Sequence, residues 1–105
     1  MTEEDILLRE EWDALAAANP DRLKLVYALD KPPAVWSGVS GFVTPEVIEG
    51  EALPPSAHEG VKVFCCGPPP MYEAICGPKD ATGKQGEVGG ALKKLGYTSE
   101  QVFKF

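Results

Sequence analysis

Three short apolar segments most constrain how this chain of 105 residues can fold. They are residues 23–29, 61–65 and 101–105, and each has the length and composition of a buried strand. Helical patterns separate them, giving the order helix, strand, helix, strand, helix, helix, strand. Short apolar strands that alternate with helices form parallel sheets covered on both faces. The sequence therefore predicts an α/β fold, whose ligands bind beyond the carboxyl ends of the strands.

The first helix is predicted to begin at Thr2, an N-cap whose capping box is completed by Asp5. Asn19-Pro20 predicts its end at about residue 18. Its apolar face is expected to contain residues spaced four and three apart, namely Leu8, Trp12 and Leu15. The acidic residues between positions 3 and 13 suit the first turn of a helix and a solvated face.

Three further helices are predicted from their boundary residues. Thr44-Pro45 favours a short helix that closes at Gly50, and a second is expected from Met71 to Cys76. A third covers residues 87–95 and ends at Gly96. Residues 34–43, 51–60 and 79–86 are predicted to be loops.

The charge balance limits the possible partners of a single small domain. Sixteen acidic residues against ten basic ones give a net charge of −6, so no basic stripe is available for nucleic acid. No apolar run approaches the length of a membrane span, and no targeting segment precedes the first helix. We therefore expect either a cytosolic protein or part of a longer one.

The three cysteines are an odd number, which favours a reducing compartment over a disulfide framework. Cys65 and Cys66 are adjacent and rarely bridge each other. Cys76 and His58 are the other soft ligands, and their spacing does not predict a zinc site. We expect His58 to be exposed and without a catalytic role.

The sharpest motif is Cys66-Gly67-Pro68-Pro69-Pro70-Met71, which directly follows a predicted strand. This turn exposes a small thiol, while glycine allows a flat ring or a phosphate to approach the backbone. Glycine–proline runs are also ordinary loop punctuation, and Cys66 could be a small buried hydrophobe. On the residues alone, both interpretations stay open.

The motif resembles the nicotinamide-side turn of ferredoxin-reductase-like flavoenzymes. Residues 2–9, Thr-Glu-Glu-Asp-Ile-Leu-Leu-Arg, are similar to the segment that meets the adenosine end of the dinucleotide in NADH–cytochrome b5 reductases. Three further segments are similar to that family: the strand around residues 24–27, the Gly-Phe-Val stretch at 41–43, and the tail from Gly77 to the terminal residues 101–105. The tail is similar to the mitochondrial-type branch of that family. The resemblance covers essentially the whole chain.

The resemblance implies roles for particular residues. Cys66 would lie beside the nicotinamide and align it for hydride transfer without covalent chemistry. The wall supporting the dinucleotide would be formed by Gly67, Pro68, Pro69 and Met71. Thr2 and Asp5 would meet the adenosine ribose, and the Asp5 carboxylate would disfavour the 2′-phosphate of NADPH. The role of Asp5 as a cap is the alternative, and the two roles are compatible. Cys65, Cys76, Trp12 and Trp36 are expected to be packing residues.

The resemblance also implies cofactors, partners and a strand order. The complete enzyme would use NADH and FAD and pass electrons to cytochrome b5 or a similar haem protein. It would be mitochondrial, in the outer membrane or the intermembrane space. No glycine-rich phosphate turn precedes Asp5, so this chain is expected to be the C-terminal part of an NADH-binding domain, without the FAD domain and inactive alone. Alternatives are part of another flavin reductase, such as the nitrate-reductase type, or a non-catalytic binding fragment. The fold would be a three-layer parallel-sheet dinucleotide-binding domain lacking its first two strands.

The implied strand order is 3-2-1-4-5, so residues 61–65 and 101–105 should pair. Residues 23–29 should then either move in to pair with 61–65 or stay displaced. A regular sheet in which they pair with another segment would contradict the order.

Overall fold

The computed structural model describes residues 2–57 and 60–105. The chain divides into two compact units, one extending to Val43 and the other beginning at Thr44. The expected exposure of His58 concerns a position outside the described residues.

The first unit begins with a 3-10 turn, Glu3–Asp5, followed by helix α1, Arg9–Ala18. The predicted helix end is confirmed, but the prediction of one helix from Thr2 is wrong. Ile6 is extended (φ −73°, ψ 106°) and Leu8 is left-handed (φ 54°, ψ 32°), so the chain leaves the helical conformation between the two elements. The capping box therefore closes one isolated turn, and α1 starts with the bond from Trp12 N to Leu8 O at 3.0 Å.

The predicted apolar face of α1 is largely exposed in this chain. Leu8, Trp12 and Leu15 are 65%, 44% and 48% exposed. Periodicity indicates which residues share a face, but a face is buried only where another element covers it. The expectation that Trp12 is a packing residue is therefore wrong within this chain.

Strands β1, Ala28–Leu29, and β2, Val39–Ser40, form a parallel pair in the first unit. Tyr27 O accepts from Val39 N at 2.9 Å, and Leu29 O accepts from Gly41 N at 2.8 Å. The predicted strand is thus reduced to its last two residues, and the loop predicted over 34–43 contains its partner. Residues 28–29 thus pair with Val39–Ser40 and not with residues 61–65, so the expectation that they would move in to pair with 61–65 is wrong. The five-strand order itself stays a prediction.

The second unit contains the other parallel pair, which confirms the expected pairing of 61–65 with 101–105. Strand β3 is Val63–Cys65 and strand β4 is Val102–Lys104, with Val63 opposite Val102 and Cys65 opposite Lys104. The ladder is extended at both ends, from Val63 N to Gln101 O at 2.7 Å and from Phe105 N to Cys65 O at 2.9 Å. Short parallel strands that alternate with helices confirm the α/β class.

In the described part of the second unit, three helices accompany this ladder, and two of them begin away from their predicted first residues. They are α2, Pro45–Glu51, α3, Pro69–Ile75, and α4, Gly90–Lys94. The Thr44 hydroxyl caps α2 by accepting from Val47 N at 3.3 Å, as its sequence predicted. α3 starts two residues before Met71, because proline suits the first helical position.

Helix α4 is shorter than the predicted 87–95 because of a close approach by α3. Gly90 has φ +56°, and a Cβ there would lie 2.5 Å from the Ala74 carbonyl oxygen. Glycine is therefore required at the point where α4 begins. Gly96, with φ +92°, confirms the predicted C-terminal glycine.

The core of the second unit lies between its ladder and its helices. It consists of six buried residues: Val61, Cys65, Cys76, Leu92, Tyr97 and Val102. Lys104 is also buried, at 2% exposure, and its Nζ donates to the carbonyl oxygens of Pro78, Gln85 and Glu87 at 3.1, 2.8 and 2.8 Å. This lysine ties the exposed 79–86 loop, which was predicted correctly, to the terminal strand.

Candidate functional site

The turn after β3 presents Cys66 at the carboxyl end of the parallel ladder. Cys66 is exposed, whereas Cys65 is buried at 8%. Alternation along the strand predicted this difference, and the prediction is confirmed. The thiol of Cys66 therefore lies where a parallel sheet receives its ligands.

Gly67 and Met71 form one side of this turn. A Cβ at Gly67 would lie 2.3 Å from the Met71 sulfur, so the thioether folds over the bare backbone. Pro68 is the N-cap of α3, with φ −70° and ψ 160°, and its carbonyl accepts from Met71 N at 2.9 Å. Pro69 follows at the first position of α3, so two fixed φ angles stiffen the turn.

A shallow depression of about 10 Å³, the room needed by one water molecule, lies beside the turn. Its lining is sulfur-rich and otherwise apolar: Cys65, Cys66, Gly67, Met71, Tyr72, Ile75 and Cys76. Such a surface can support a flat ring through van der Waals contact, while the exposed thiol contributes a weak donor.

The buried thiol of Cys65, beneath the turn, is a poor nucleophile at neutral pH. Burial, and then a hydrogen bond with the Cys76 thiol, raises the pKa of Cys65 to about 12. A thiol with such a pKa stays protonated at neutral pH and reacts slowly. Cys76, fully buried, lies with its sulfur 3.6 Å from the Gly77 carbonyl oxygen. The structure thus supports the predicted packing roles of Cys65 and Cys76.

Tyr72 and Phe105 brace the strand end that carries Cys66. The Tyr72 hydroxyl donates to Phe105 O at 2.8 Å and lies 3.5 Å from Cys65 O. Phe105 N also donates to Cys65 O. No local sequence pattern predicts this bracing, because it joins residues 33 positions apart.

The second group of predicted site residues lies in the first unit, on the 3-10 turn. Asp5 Oδ2 accepts from Thr2 N at 2.7 Å and from the Thr2 hydroxyl at 3.2 Å. The Thr2 backbone N–H, and then its hydroxyl, lower the pKa of Asp5, so this exposed side chain is a carboxylate at neutral pH. Among the described residues, both of these bonds from Thr2 go to the same carboxylate oxygen, Oδ2.

Arg9 is a residue of this unit that the sequence interpretation did not single out. Its guanidinium lies 5.3 Å from the centre of the Tyr27 ring and 5.6 Å from that of Trp36. It also forms an ion pair with Glu3, and its Nε lies 3.6 Å from Asp13 Oδ2. Arg9 is the last residue of the segment 2–9 that resembles the family, but the resemblance implied no role for it. Its aromatic partners are Tyr27, from the predicted strand 23–29, and Trp36, from the predicted loop 34–43, and no sequence pattern indicated that they meet.

The residues present fit a dinucleotide in two separate places. Thr2 and Asp5 offer a carboxylate for a ribose, and residues 66–71 offer a glycine backbone and an apolar wall for a flat ring. The first place belongs to the first unit and the second place to the second unit. Within residues 2–57 and 60–105, no three His, Cys, Asp or Glu side chains are grouped to hold a metal ion.

The sequence matches the oxidoreductase NAD-binding domain family over residues 1–77. The chain belongs to this family. Over its whole length it is 52% identical to a protein of Botryotinia fuckeliana named NADH-cytochrome b5 reductase 2, of which it spans 30%. A protein of the same name from Yarrowia lipolytica is 52% identical over 99% of the chain, which spans 35% of that relative. The expected family resemblance and the expected NAD cofactor are thereby confirmed.

Solved structures agree with this assignment. The cytochrome b5 reductase domain of Ulva prolifera nitrate reductase is 34% identical, with a TM-score of 0.74, over 99% of this chain and 34% of that one. The CS-b5R domains of human Ncb5or in the NAD+ form share the fold, with a TM-score of 0.69 at 24% identity, over 99% of this chain and 25% of that one. The chain thus spans about a third of the length of the curated relatives it matches.

Proposed function

We propose that this chain is the nicotinamide- and ribose-facing part of an NADH–cytochrome b5 reductase. The observation that carries the proposal is the exposed Cys66 at the carboxyl end of β3, next to a buried Cys65 and a side-chain-free Gly67. Relatives of about 50% identity over the whole chain are named for this activity. An exposed thiol at the carboxyl end of β3 suits contact with a nicotinamide ring. Hydride transfer requires that this ring be aligned with the acceptor.

The chain's own residues would hold and orient the nicotinamide end. Bound NADH supplies a hydride. Gly67 leaves the backbone open, Pro68 and Pro69 keep the turn rigid, and the Met71 thioether supplies an adaptable apolar contact. Cys66 would be the catalytic residue, because its small side chain permits close approach. It would work by alignment, with no covalent bond formed at its sulfur.

The carboxylate of Asp5 would select the adenosine ribose. Held by Thr2, it presents one oxygen as an acceptor for the 2′-hydroxyl, while its charge opposes a 2′-phosphate. We therefore propose a preference for NADH over NADPH. Thr2 would contribute by orienting Asp5.

The electron acceptors and the cellular location are properties of the complete enzyme. The family resemblance supports FAD as the hydride acceptor, held by a separate domain of the complete enzyme, and cytochrome b5 as the final acceptor. A mitochondrial location follows from the likeness of the tail to that branch. In the described ranges, no helix has the length and apolar character needed to cross a membrane.

A nitrate-reductase-type NADH domain is the second candidate. It is favoured by the similarity to the Ulva prolifera structure, which is the cytochrome b5 reductase domain of a nitrate reductase. The two candidates share the dinucleotide site and differ in the acceptor.

The test is a chimera in which this chain replaces the corresponding third of the Botryotinia fuckeliana relative. After confirmation of bound FAD, NADH-dependent reduction of ferricyanide and of cytochrome b5 would be measured, with NADPH as the comparison. The proposal expects both acceptors to be reduced, and NADH to be preferred. If the chimera reduced ferricyanide but did not reduce cytochrome b5, the second candidate would be favoured. A flavin-loaded chimera that oxidises no NADH would refute both.

A further inference from the structure

Arg9 occupies the most elaborate polar cluster of the first unit. Its guanidinium lies over both the Tyr27 and Trp36 rings, at 5.3 and 5.6 Å from their centres. The Tyr27 hydroxyl donates to Asp13 Oδ1 at 2.8 Å, and Trp36 Nε1 donates to Val39 O at 3.1 Å. Each ring is therefore held in place by a hydrogen bond of its own. The arginine is positioned by its surroundings and is only partly exposed, at 34% of its side chain.

The charge of Arg9 is directed to Glu3, which lies two residues before Asp5. Arg9 Nη1 donates to Glu3 Oε1, and this bond together with the two nearby carboxylates raises the pKa of Arg9. Glu3, Glu4 and Asp5 are consecutive acidic residues on one 3-10 turn. Pairing with Arg9 therefore neutralises one of three negative charges where the proposed ribose site lies.

A dinucleotide carries two phosphate charges, so an unpaired carboxylate beside its adenosine end would weaken its binding. We propose that Arg9 is a positioning residue for NADH, which holds and neutralises Glu3 so that Glu3 adds no net negative charge beside the Asp5 carboxylate that accepts from the ribose. This inference rests on the proposed dinucleotide site and deepens it. Arginine is required because a planar guanidinium can stack between rings and bind a carboxylate at once, whereas a lysine ammonium is a compact point charge.

The experiment uses the chimera described above and the KM for NADH with ferricyanide as acceptor. Arg9→Met should raise the KM by about twofold to fivefold, the range for one exposed charge interaction, and leave kcat within about twofold. Arg9→Lys should fall between Met and the unaltered protein. Arg22→Met is the matched control, because Arg22 is an exposed arginine of the same unit, and it should leave the KM unchanged.

The deciding variant is the double substitution Arg9→Met with Glu3→Gln. If Arg9 acts by neutralising Glu3, removal of the glutamate charge should return the KM to within about twofold of the unaltered protein, since that charge interaction is then absent. The KM difference between Arg9→Met and the unaltered protein should also shrink at high salt. An Arg9 that served only to pack the two rings would give a KM increase that Glu3→Gln does not relieve. Either that result or an unchanged KM in Arg9→Met would overturn the inference.

The outcomes separate this inference from the proposed function. A chimera that oxidises NADH with ferricyanide but does not reduce cytochrome b5 would remove the proposed acceptor, and the Arg9 comparison would stand. A flavin-loaded chimera that oxidises no NADH would overturn both. Thermal unfolding of each variant by circular dichroism shows that it is folded at the assay temperature.

Discussion

Replacement of Lys104 by methionine should destabilise the second unit far more than replacement of an ordinary surface lysine. Lys104 is 2% exposed, and its Nζ donates to three carbonyl oxygens at 2.8–3.1 Å. Methionine keeps most of the apolar stem but removes all three donors. The carbonyls of Pro78, Gln85 and Glu87 must then find other partners.

The magnitude follows from those bonds. Each carbonyl that loses its partner costs about 1–3 kcal/mol, depending on its access to water. Removal of a buried ammonium recovers several kcal/mol of desolvation, which offsets part of this cost. We expect a net loss of about 2–4 kcal/mol in the free energy of unfolding, within the range for a broken buried network. A unit of this size has only about 3–9 kcal/mol in total.

Lys62→Met is the matched control. Lys62 Nζ also donates to a carbonyl, that of Glu100 at 2.8 Å, but the lysine is exposed. Water can replace that bond, so the loss should be below about 0.5 kcal/mol. Urea unfolding followed by circular dichroism gives both values, and hydrogen exchange over residues 78–87 reports the loop directly. Equal losses for the two variants, or an unchanged exchange rate in the loop, would refute the reasoning.

Four further predictions concern the thiols, the ribose site and the chain alone. In the chimera, Asp5→Ser should narrow the NADH-over-NADPH preference by about 1–3 kcal/mol, as measured from the two kcat/KM ratios; an unchanged preference would make Asp5 a cap alone. Cys66→Ser should slow hydride transfer, measured by stopped-flow flavin reduction, with little change in stability, whereas Cys65→Ser should lower the melting temperature through its buried hydroxyl. Because the pKa of Cys65 is raised to about 12 in the folded chain, the unfolded chain loses that proton first, and stability should fall as pH rises above about 9; a Cys65→Ala variant with the same alkaline slope in urea unfolding would contradict this. The isolated chain should reduce no ferricyanide with NADH and added FAD, and turnover approaching that of the chimera would show that it needs no other part.

Elements with local signals could be predicted from the sequence. Thr44-Pro45 carries both a cap and a fixed φ, so α2 begins where expected. The alternation of side chains along β3 predicted that Cys65 is buried and that Cys66 is exposed, and the structure has both as predicted. In each case neighbouring residues determine the outcome.

The rest depends on residues that are distant in the sequence. A lysine in a terminal strand ordinarily predicts a solvated side chain, and only the three carbonyls around Lys104 make its burial possible. The aromatic contacts of Arg9 require Tyr27 and Trp36 to be brought together by the short β1–β2 ladder. The left-handed Leu8 has no signal in its neighbours, because leucine rarely adopts that conformation.

The register of the β3–β4 ladder has a consequence for how the second unit folds. Val63 pairs with Val102, so 39 positions separate partners that must meet before the ladder can form. Closing a loop of that length costs entropy before any contact is gained, which delays such pairings until late in folding. The Lys104 bonds extend from the last residue of β4, so they should be absent from the folding transition state. Their loss should therefore accelerate unfolding and leave the refolding rate nearly unchanged, as the two arms of a chevron plot would show.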